Sequence, residues 1–271
     1  MVKLKIIFVL TLFSIFFINM ALADNADQLI ELINKNKFYQ AKRLINSGVD
    51  VNVEPGNTSP LHAAADMGST SLVRKLIAAG AHVNARNKEG NTPLWYGAGI
   101  FGKVSVIKVL IKNGANVNAV NNFGESILSN AMFFDGPGDP NSKFLIKKGA
   151  IARRPSCSEG SNAITRAAKY GKLSVLKSLT KDIGNVINEM DHFNYNALMN
   201  AVSHGHYQTY KYLVELGADL TIKSSGGKNL LILAIEGGNL KIIEDLLKKG
   251  FDPNFKTRYS RSPLHVATFS K

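Results

Sequence analysis

Apolar residues recur along this chain in short groups that have the spacing of a helix face. Two such groups are Leu72, Val73, Leu76 and Ile77, which precede Gly80, and Val106, Ile107, Leu110 and Ile111. Apolar residues at i, i+3 and i+4 predict amphipathic helices, and a glycine is a common helix end. One helix pair cannot bury such a stripe alone, so the pattern predicts helices stacked on neighbouring helices.

The stripe belongs to a longer repeat of helix, turn and helix. Taking Pro60 as the reference, the equivalent positions are Pro93, Ile127, Ala163, Ala197, Leu230 and Pro263. These positions are 33 to 36 residues apart. In the best-preserved unit, Ala64 and Ala65 lie on a short inner helix, where small side chains allow close helix approach. The spacing therefore predicts an array of about seven units plus a terminal half.

Short motifs recur at fixed places within these units. They are Ser59-Pro60-Leu61-His62, Thr92-Pro93-Leu94 and Ser262-Pro263-Leu264-His265, followed by Gly80-Ala81-His82-Val83-Asn84, Gly114-Ala115-Asn116-Val117-Asn118 and Gly217-Ala218-Asp219. In these motifs the chain resembles the ankyrin repeat family. The resemblance implies an all-α, ankyrin-type helical solenoid with short turn or hairpin connections between repeats. It also implies a protein-binding surface rather than a catalytic pocket.

The pattern is uneven along the chain. Residues 24–56 are interpreted as a degenerate N-terminal capping repeat, and residues 57–271 as the repeat array, ending in a half repeat. Irregular segments at 133–140 and 153–160 interrupt the array, and we expect them to divide it into two halves. The first segment holds two prolines and two glycines, so we expect a longer loop there. Asp139 or Asn141 is predicted to cap a shortened outer helix after that loop.

The first 23 residues have the pattern of a secretory signal peptide. Lys3 and Lys5 precede an uncharged, apolar-rich run over residues 6–18, and small residues at Ala21 and Ala23 suit a signal peptidase. An uncleaved membrane anchor is the alternative, but the run is shorter than the roughly 20 residues that a spanning helix needs. We therefore expect an exported protein, either periplasmic or secreted.

Charge points to a cationic surface. The net charge is +13, and it falls to +11 without residues 1–23, which contain two lysines and no acid. One basic stretch contains ten cationic residues and a single acid, Glu159. The cationic residues are Lys143, Lys147, Lys148, Arg153, Arg154, Arg166, Lys169, Lys172, Lys177 and Lys181. The alternative function is therefore binding of an anionic membrane or nucleic acid through the Lys143 to Lys181 region. The sequence disfavours nucleic acid as the partner and leaves an anionic membrane surface open. Part of the surplus is ordinary helix capping, as at Lys147 and Lys148 before Gly149.

Candidate chemistry is sparse. The resemblance to ankyrin repeats implies structural roles for His62, His265 and His206. His204 and His206 are two residues apart, so on a helix their side chains would point away from each other and would form no metal site. Cys157 lies in no known thiol-enzyme context, and as the only cysteine it allows no internal disulfide. No phosphate loop, metalloprotease motif or dinucleotide turn is present in the sequence. We therefore predict no catalytic, metal or cofactor site.

The resemblance instead assigns partner binding to the turn tips and the exposed ends of the inner helices. The residues at these positions are Arg86, Lys88, Phe101, Phe123, Lys169, Tyr170, His192, Phe193, Tyr195, His204, Arg258 and Tyr259. Aromatic and basic residues dominate this set, as they do at protein interfaces. Phe133 and Phe134 either join this surface or fold inward under the long loop, and Trp95 and Tyr96 are expected to fill a repeat interface. We expect a monomer that binds a protein, whose identity the sequence leaves open.

Overall fold

The computed structural model describes residues 25, 27–52, 58–136, 138–151, 163–180, 185–191 and 193–269. The proposed signal peptide, Cys157 and His192 lie outside these residues. Within them the fold is all-α, as predicted. The helices are α1 (27–34), α2 (Phe38–Asn46), α3 (Pro60–Asp66), α4 (Thr70–Ala78), α5 (Pro93–Gly97), α6 (Val104–Lys112), α7 (Ile127–Phe134), α8 (Pro140–Lys147), α9 (Ala163–Lys169), α10 (Leu173–Leu179), α11 (Ala197–Ser203), α12 (Tyr207–Glu215), α13 (Leu230–Glu236), α14 (Leu240–Lys248) and α15 (Pro263–Phe269). A 3-10 turn covers Asn185–Asn188.

The predicted register matches the inner helices. Helices α3, α5, α7, α9, α11, α13 and α15 begin at the seven equivalent positions, from Pro60 to Pro263. Proline suits the first turn of a helix because its missing N–H would have no helical partner there. At α7, α11 and α13, which begin without proline, a serine or asparagine side chain caps the helix. Asn229, for example, accepts a bond from the Ile232 N–H at 3.0 Å. No described helix has the length and apolar character needed to cross a lipid bilayer.

The chain forms two compact units, one ending at Asn122 and the other beginning at Phe123. This boundary lies ahead of the irregular segments at 133–140 and 153–160, where the sequence predicted the division. The reason is helix packing, because α7 contacts both α8 and α9, and α8 contacts α10. Helices on either side of the irregular segments are thus neighbours within the second unit.

The first unit is held together by close contact between inner helices. Leu61, Ala64 and Ala65 on α3 are fully buried, and α3 packs against α5. A Cβ atom on Gly97 would lie 2.9 Å from Val106 Cγ1. The glycine therefore lets α5 and α6 approach closely, and this approach completes the core around Leu110.

Two asparagine side chains, Asn52 and Asn84, join consecutive repeats of the first unit. The bonds are Asn52 Nδ2 to Gly80 O (3.0 Å), His82 N to Asn52 Oδ1 (2.8 Å), Asn84 Nδ2 to Gly114 O (2.9 Å) and Asn116 N to Asn84 Oδ1 (2.9 Å). We call each pair of bonds an asparagine clamp. A clamp satisfies a backbone acceptor at the end of one outer helix and a backbone donor in the turn that follows.

Polar contacts join the outer helices of the second unit. The Tyr210 hydroxyl on α12 donates to Asp245 Oδ2 on α14 at 2.5 Å. Burial of the ring, together with this carboxylate, raises the pKa of Tyr210 above its usual range. The Tyr210 hydroxyl therefore stays protonated at neutral pH and can donate this bond. A second hydroxyl pair, Thr180 and Tyr212, lies 2.7 Å apart between α10 and α12.

The cap of α8 differs from the prediction. Asp139 lies directly before the helix, in a left-handed conformation with φ of 51°, but its side chain caps nothing. The cap is Asp135, whose carboxylate accepts the backbone N–H groups of Asn141 at 3.1 Å and Ser142 at 2.7 Å. Asp139 pairs instead with Lys172, with 3.1 Å between Oδ1 and Nζ. The helix itself is eight residues long, one residue shorter than the outer helix α12 of the same unit.

Candidate binding surface

A cleft of about 380 Å³ opens between α9 and α11 in the second unit. It is lined by Thr165, Arg166, Lys169, Asp191, Phe193, Tyr195, Asn200, Ser203 and His204. Four residues predicted to bind a partner, Lys169, Phe193, Tyr195 and His204, are therefore brought together although they span 36 positions of the chain.

Asp191 shapes the turn that leads into α11. Its Oδ1 atom accepts the backbone N–H groups of Phe193 at 3.0 Å and Tyr195 at 2.9 Å, and its Oδ2 atom accepts from Asn200 Nδ2 at 3.2 Å. The carboxylate is buried. These bonds fix the turn, so the two aromatic side chains are presented from a rigid support. Burial raises the pKa of Tyr195, which keeps its hydroxyl protonated at neutral pH.

An aromatic cluster continues the cleft toward α7. Phe133 contacts Phe134 and Tyr170 edge-to-face, with ring centroids 4.7 and 5.5 Å apart. The Lys169 Nζ atom lies 5.9 Å from the centroid of the Tyr170 ring. Phe133 is 56% exposed, so it does not fold inward under the loop. We use the term aromatic face for Phe133, Phe134, Lys169, Tyr170, Phe193 and Tyr195.

His204 and His206 differ from the sequence-based expectation. Gly205, with φ of 70°, interrupts the helix between them, so the two rings stack in parallel 6.3 Å apart instead of pointing away from each other. The His206 Nε2 atom donates to the Lys169 carbonyl at 2.8 Å. Burial lowers the pKa of His206, so the ring is neutral at pH 7. His206 therefore joins two repeats, which is the structural role expected of it.

The other motif positions are also structural. In His62, Nδ1 accepts from the Ser59 N–H at 3.2 Å and Nε2 donates to Asn91 O at 3.1 Å. Trp95 and Tyr96 are half-buried. The Tyr96 ring contacts the His62 ring of the preceding repeat edge-to-face, with centroids 5.7 Å apart, which agrees with a place for Tyr96 in the repeat interface. Among the described residues no group of His, Cys, Asp or Glu is arranged to hold a metal ion.

Arg86 and Lys88, also predicted to bind a partner, lie in the first unit. The Arg86 guanidinium donates to Val120 O at 2.8 Å and to Asn122 Oδ1 at 3.3 Å, so it holds the next turn in place. Asn122 Nδ2 in turn donates to Lys88 O at 2.7 Å. The side chain of Lys88 is exposed.

The remaining predicted residues are not part of the cleft. Phe101 is exposed in the first unit, and Phe123 is exposed at the start of the second. Arg258 and Tyr259 are exposed in the turn before α15.

Asp191 is a residue that the sequence analysis missed. It shapes the cleft, but it was not predicted as a site residue. Its position in the repeat could have identified it. Asn87 occupies the equivalent position in an earlier repeat, and its Oδ1 atom accepts the Asn91 N–H at 2.8 Å, as Asp191 Oδ1 accepts the Tyr195 N–H.

Acidic residues outside the basic stretch from Lys143 to Lys181 pair with some of its cations. Lys172 pairs with Asp139, and Arg166 NH2 lies 3.5 Å from Glu125 Oε1, a residue outside the stretch. Exposed cations remain at Lys147 on α8 and at Lys148, directly after the helix. The acids that balance part of the stretch come from neighbouring repeats.

The comparisons with known proteins agree with these features. A family model described as "Ankyrin repeats (3 copies)" matches residues 29–121 and 142–224. The chain is 32% identical over 97 residues to the ankyrin repeat and KH domain-containing protein mask-1 of Caenorhabditis elegans, covering 35% of this chain and 4% of that protein. It is 29% identical over 119 residues to the ankyrin repeat domain-containing protein M-T5 of Myxoma virus (strain Lausanne), covering 43% of this chain and 24% of that protein. The chain thus spans a quarter or less of these curated relatives.

A solved structure supports the fold over most of the chain. The crystal structure of the human ASB11 ankyrin repeat domain aligns with a TM-score of 0.64 and 27% sequence identity. The alignment covers 77% of this chain and 91% of the other.

Proposed function

Because the chain belongs to the ankyrin repeat family, we propose that it is a protein-binding module whose partner contacts the aromatic face of the second unit. Ankyrin repeats are protein–protein interaction modules, and stacked repeats present extended surfaces for such contacts. The function is proposed to be binding without chemistry of its own. The histidines at the motif positions support this, because their ring nitrogens are used in bonds between and within repeats.

The exposure of aromatic rings on a rigid support carries the proposal. Phe193 is 64% exposed, yet its backbone is fixed by Asp191. Aromatic side chains supply large contact areas at low cost in conformational entropy, and they are frequent among the residues that dominate binding energy. A group of exposed aromatic side chains close together supports a binding role, because monomeric proteins rarely leave large apolar patches in contact with water. Lys169 adds a cation at the centre of the same surface.

Replacing Phe193 by alanine is expected to weaken binding of the protein partner about tenfold, since truncation of a central interface aromatic costs more than about 1 kcal/mol. The melting temperature should stay unchanged, because the ring is mostly exposed. The partner would be captured on the immobilised protein, identified by mass spectrometry and titrated by calorimetry.

Tyr39 provides the matched control for this experiment. It is 75% exposed on α2, in the other unit. Tyr39→Ala removes a similar exposed ring and should leave affinity as it is. Equal losses for the two variants, or unfolding of the Phe193→Ala protein, would place the binding surface elsewhere.

We further propose that residues 1–23 direct export and are then removed. Lys3, Lys5, the apolar-rich run over 6–18 and Ala21-Leu22-Ala23 support this proposal. Expression of the full sequence should yield a protein whose intact mass lacks residues 1–23. Ala23→Phe should block the processing, since signal peptidases require a small residue there. A cytoplasmic product that retains Met1 would refute the proposal.

A further inference from the structure

Building on the proposed function, we infer that the partner contacts the aromatic face through an acidic segment, one carboxylate of which binds Lys169. The inference names the chemistry of the partner. It requires a cation that is open to solvent, neighbouring acids that are already bonded, and apolar surface on both sides of the cation. The second unit provides each of these.

Lys169 is the open cation. It is exposed at the end of α9, and its Nζ atom lies against the Tyr170 ring at 5.9 Å from the centroid. Among the described residues no carboxylate forms an ion pair with it. A charge without a carboxylate partner at the centre of an interface favours an opposite charge on the incoming protein.

The acids beside this surface are engaged within the chain. Asp191 is buried at the base of the cleft and accepts three hydrogen bonds, from two backbone N–H groups and the Asn200 amide. Glu125 lies 3.5 Å from Arg166 at the rim. An approaching protein therefore meets exposed positive charge, while the nearby negative charge is already neutralised by local donors.

Apolar surface flanks the lysine on both sides. The Tyr170 and Phe133 rings lie toward α7, and the Phe193 and Tyr195 rings lie along the cleft toward α11. A segment in which apolar side chains surround an aspartate or glutamate would place the carboxylate at Lys169 and its neighbours on the rings. A bare polyanion whose bases are already stacked, such as duplex DNA, would use the charge and leave most of the aromatic surface exposed.

The test uses a random peptide array probed with the protein. Peptides that bind should be enriched in aspartate and glutamate next to apolar residues. Lys169→Glu should reverse the preference, so that peptides selected by the variant are enriched in lysine and arginine. A reversal is a stronger result than a loss, because a variant that failed to fold would select nothing.

Lys177 provides the matched control. It is exposed on the outer helix α10, and its Nζ atom lies 5.4 Å from the centroid of the Tyr212 ring. Lys177→Glu thus changes the same charge in the same kind of aromatic setting, away from the cleft. It should keep the preference for acidic peptides. For one selected acidic peptide, fluorescence anisotropy should show about a fivefold loss of affinity for Lys169→Glu and less than a twofold change for Lys177→Glu, as expected for a local charge pair.

The outcomes separate this inference from the proposed function. Bound peptides without an acidic bias, or an unchanged bias in Lys169→Glu, would overturn the inference and leave protein binding intact. A chain that selects no peptide and captures no protein contradicts both. Duplex DNA oligonucleotides and phosphatidylserine vesicles serve as further probes. Tighter binding to either one, with a steep salt dependence that both lysine variants reduce equally, would show a diffuse polyanion surface and contradict the inference.

Discussion

Replacing Leu110 by alanine is expected to lower the free energy of unfolding of the first unit by roughly 2 to 5 kcal/mol. Leu110 is fully buried on α6, beside the point where Gly97 brings α5 close. The change removes apolar contacts and leaves a cavity that rigid neighbours cannot fill. Urea unfolding followed by Trp95 fluorescence would measure the loss, because Trp95 is the only tryptophan and lies in the same unit.

Lys112 gives the control for this experiment. It belongs to the same helix but is exposed, so Lys112→Ala should change the free energy of unfolding by no more than about 0.5 kcal/mol. Similar shifts of the urea midpoint for the two variants would mean that α6 is not packed against a neighbouring repeat.

Asp135→Ala is expected to destabilise the second unit by about 2 to 3 kcal/mol, since it removes a buried carboxylate that accepts two backbone N–H groups. The loss should begin locally, with faster hydrogen exchange at the amides of Asn141 and Ser142. Native-state exchange followed by mass spectrometry would measure both the local and the global effect.

Asp135→Asn is the graded control for the cap. The amide keeps one oxygen acceptor, so it should retain about half of the stabilisation. If exchange at the start of α8 responds to Asp139→Ala and not to Asp135→Ala, the cap assignment is wrong.

The positions of the inner helices were predictable because their signal is local and repeated. Pro60, Pro93 and Pro263 mark first turns directly, and the spacing carries that register to Ile127 and Ala197, where no proline is present. Each apolar stripe lies within two turns of a single helix. Seven weak signals in one register therefore define the helix starts together.

Side-chain contacts that depend on the tertiary structure were not predictable in the same way. Asp135 caps a helix that begins five residues later, whereas local capping rules consider the residue directly before the helix. Lys172 and Arg166 pair with acids 33 and 41 residues away, so a count of charge along the sequence overstated the free positive charge. The His204 and His206 rings are parallel, contrary to the expectation, because Gly205 between them has a positive φ that the sequence alone does not specify.

The candidate site was predictable in part for the same reasons. Family position placed Lys169, Phe193, Tyr195 and His204 on one surface, and the structure lines one cleft with all four. The same reasoning selected Arg86, whose guanidinium holds a neighbouring turn. Position in a repeat identifies which residues face outward, but only the neighbouring repeat determines which of them are already bonded.

The asparagine clamps also bear on how such a chain can lengthen during evolution. Each clamped repeat contributes an amide to the next repeat and supplies a carbonyl and an N–H group to the previous one, as the bonds of Asn52 and Asn84 show. A tandem duplication of one repeat would therefore carry both halves of the connection. The inserted copy would find a partner on each side without any compensating substitution, so gain or loss of whole repeats is a mutational step that this architecture tolerates.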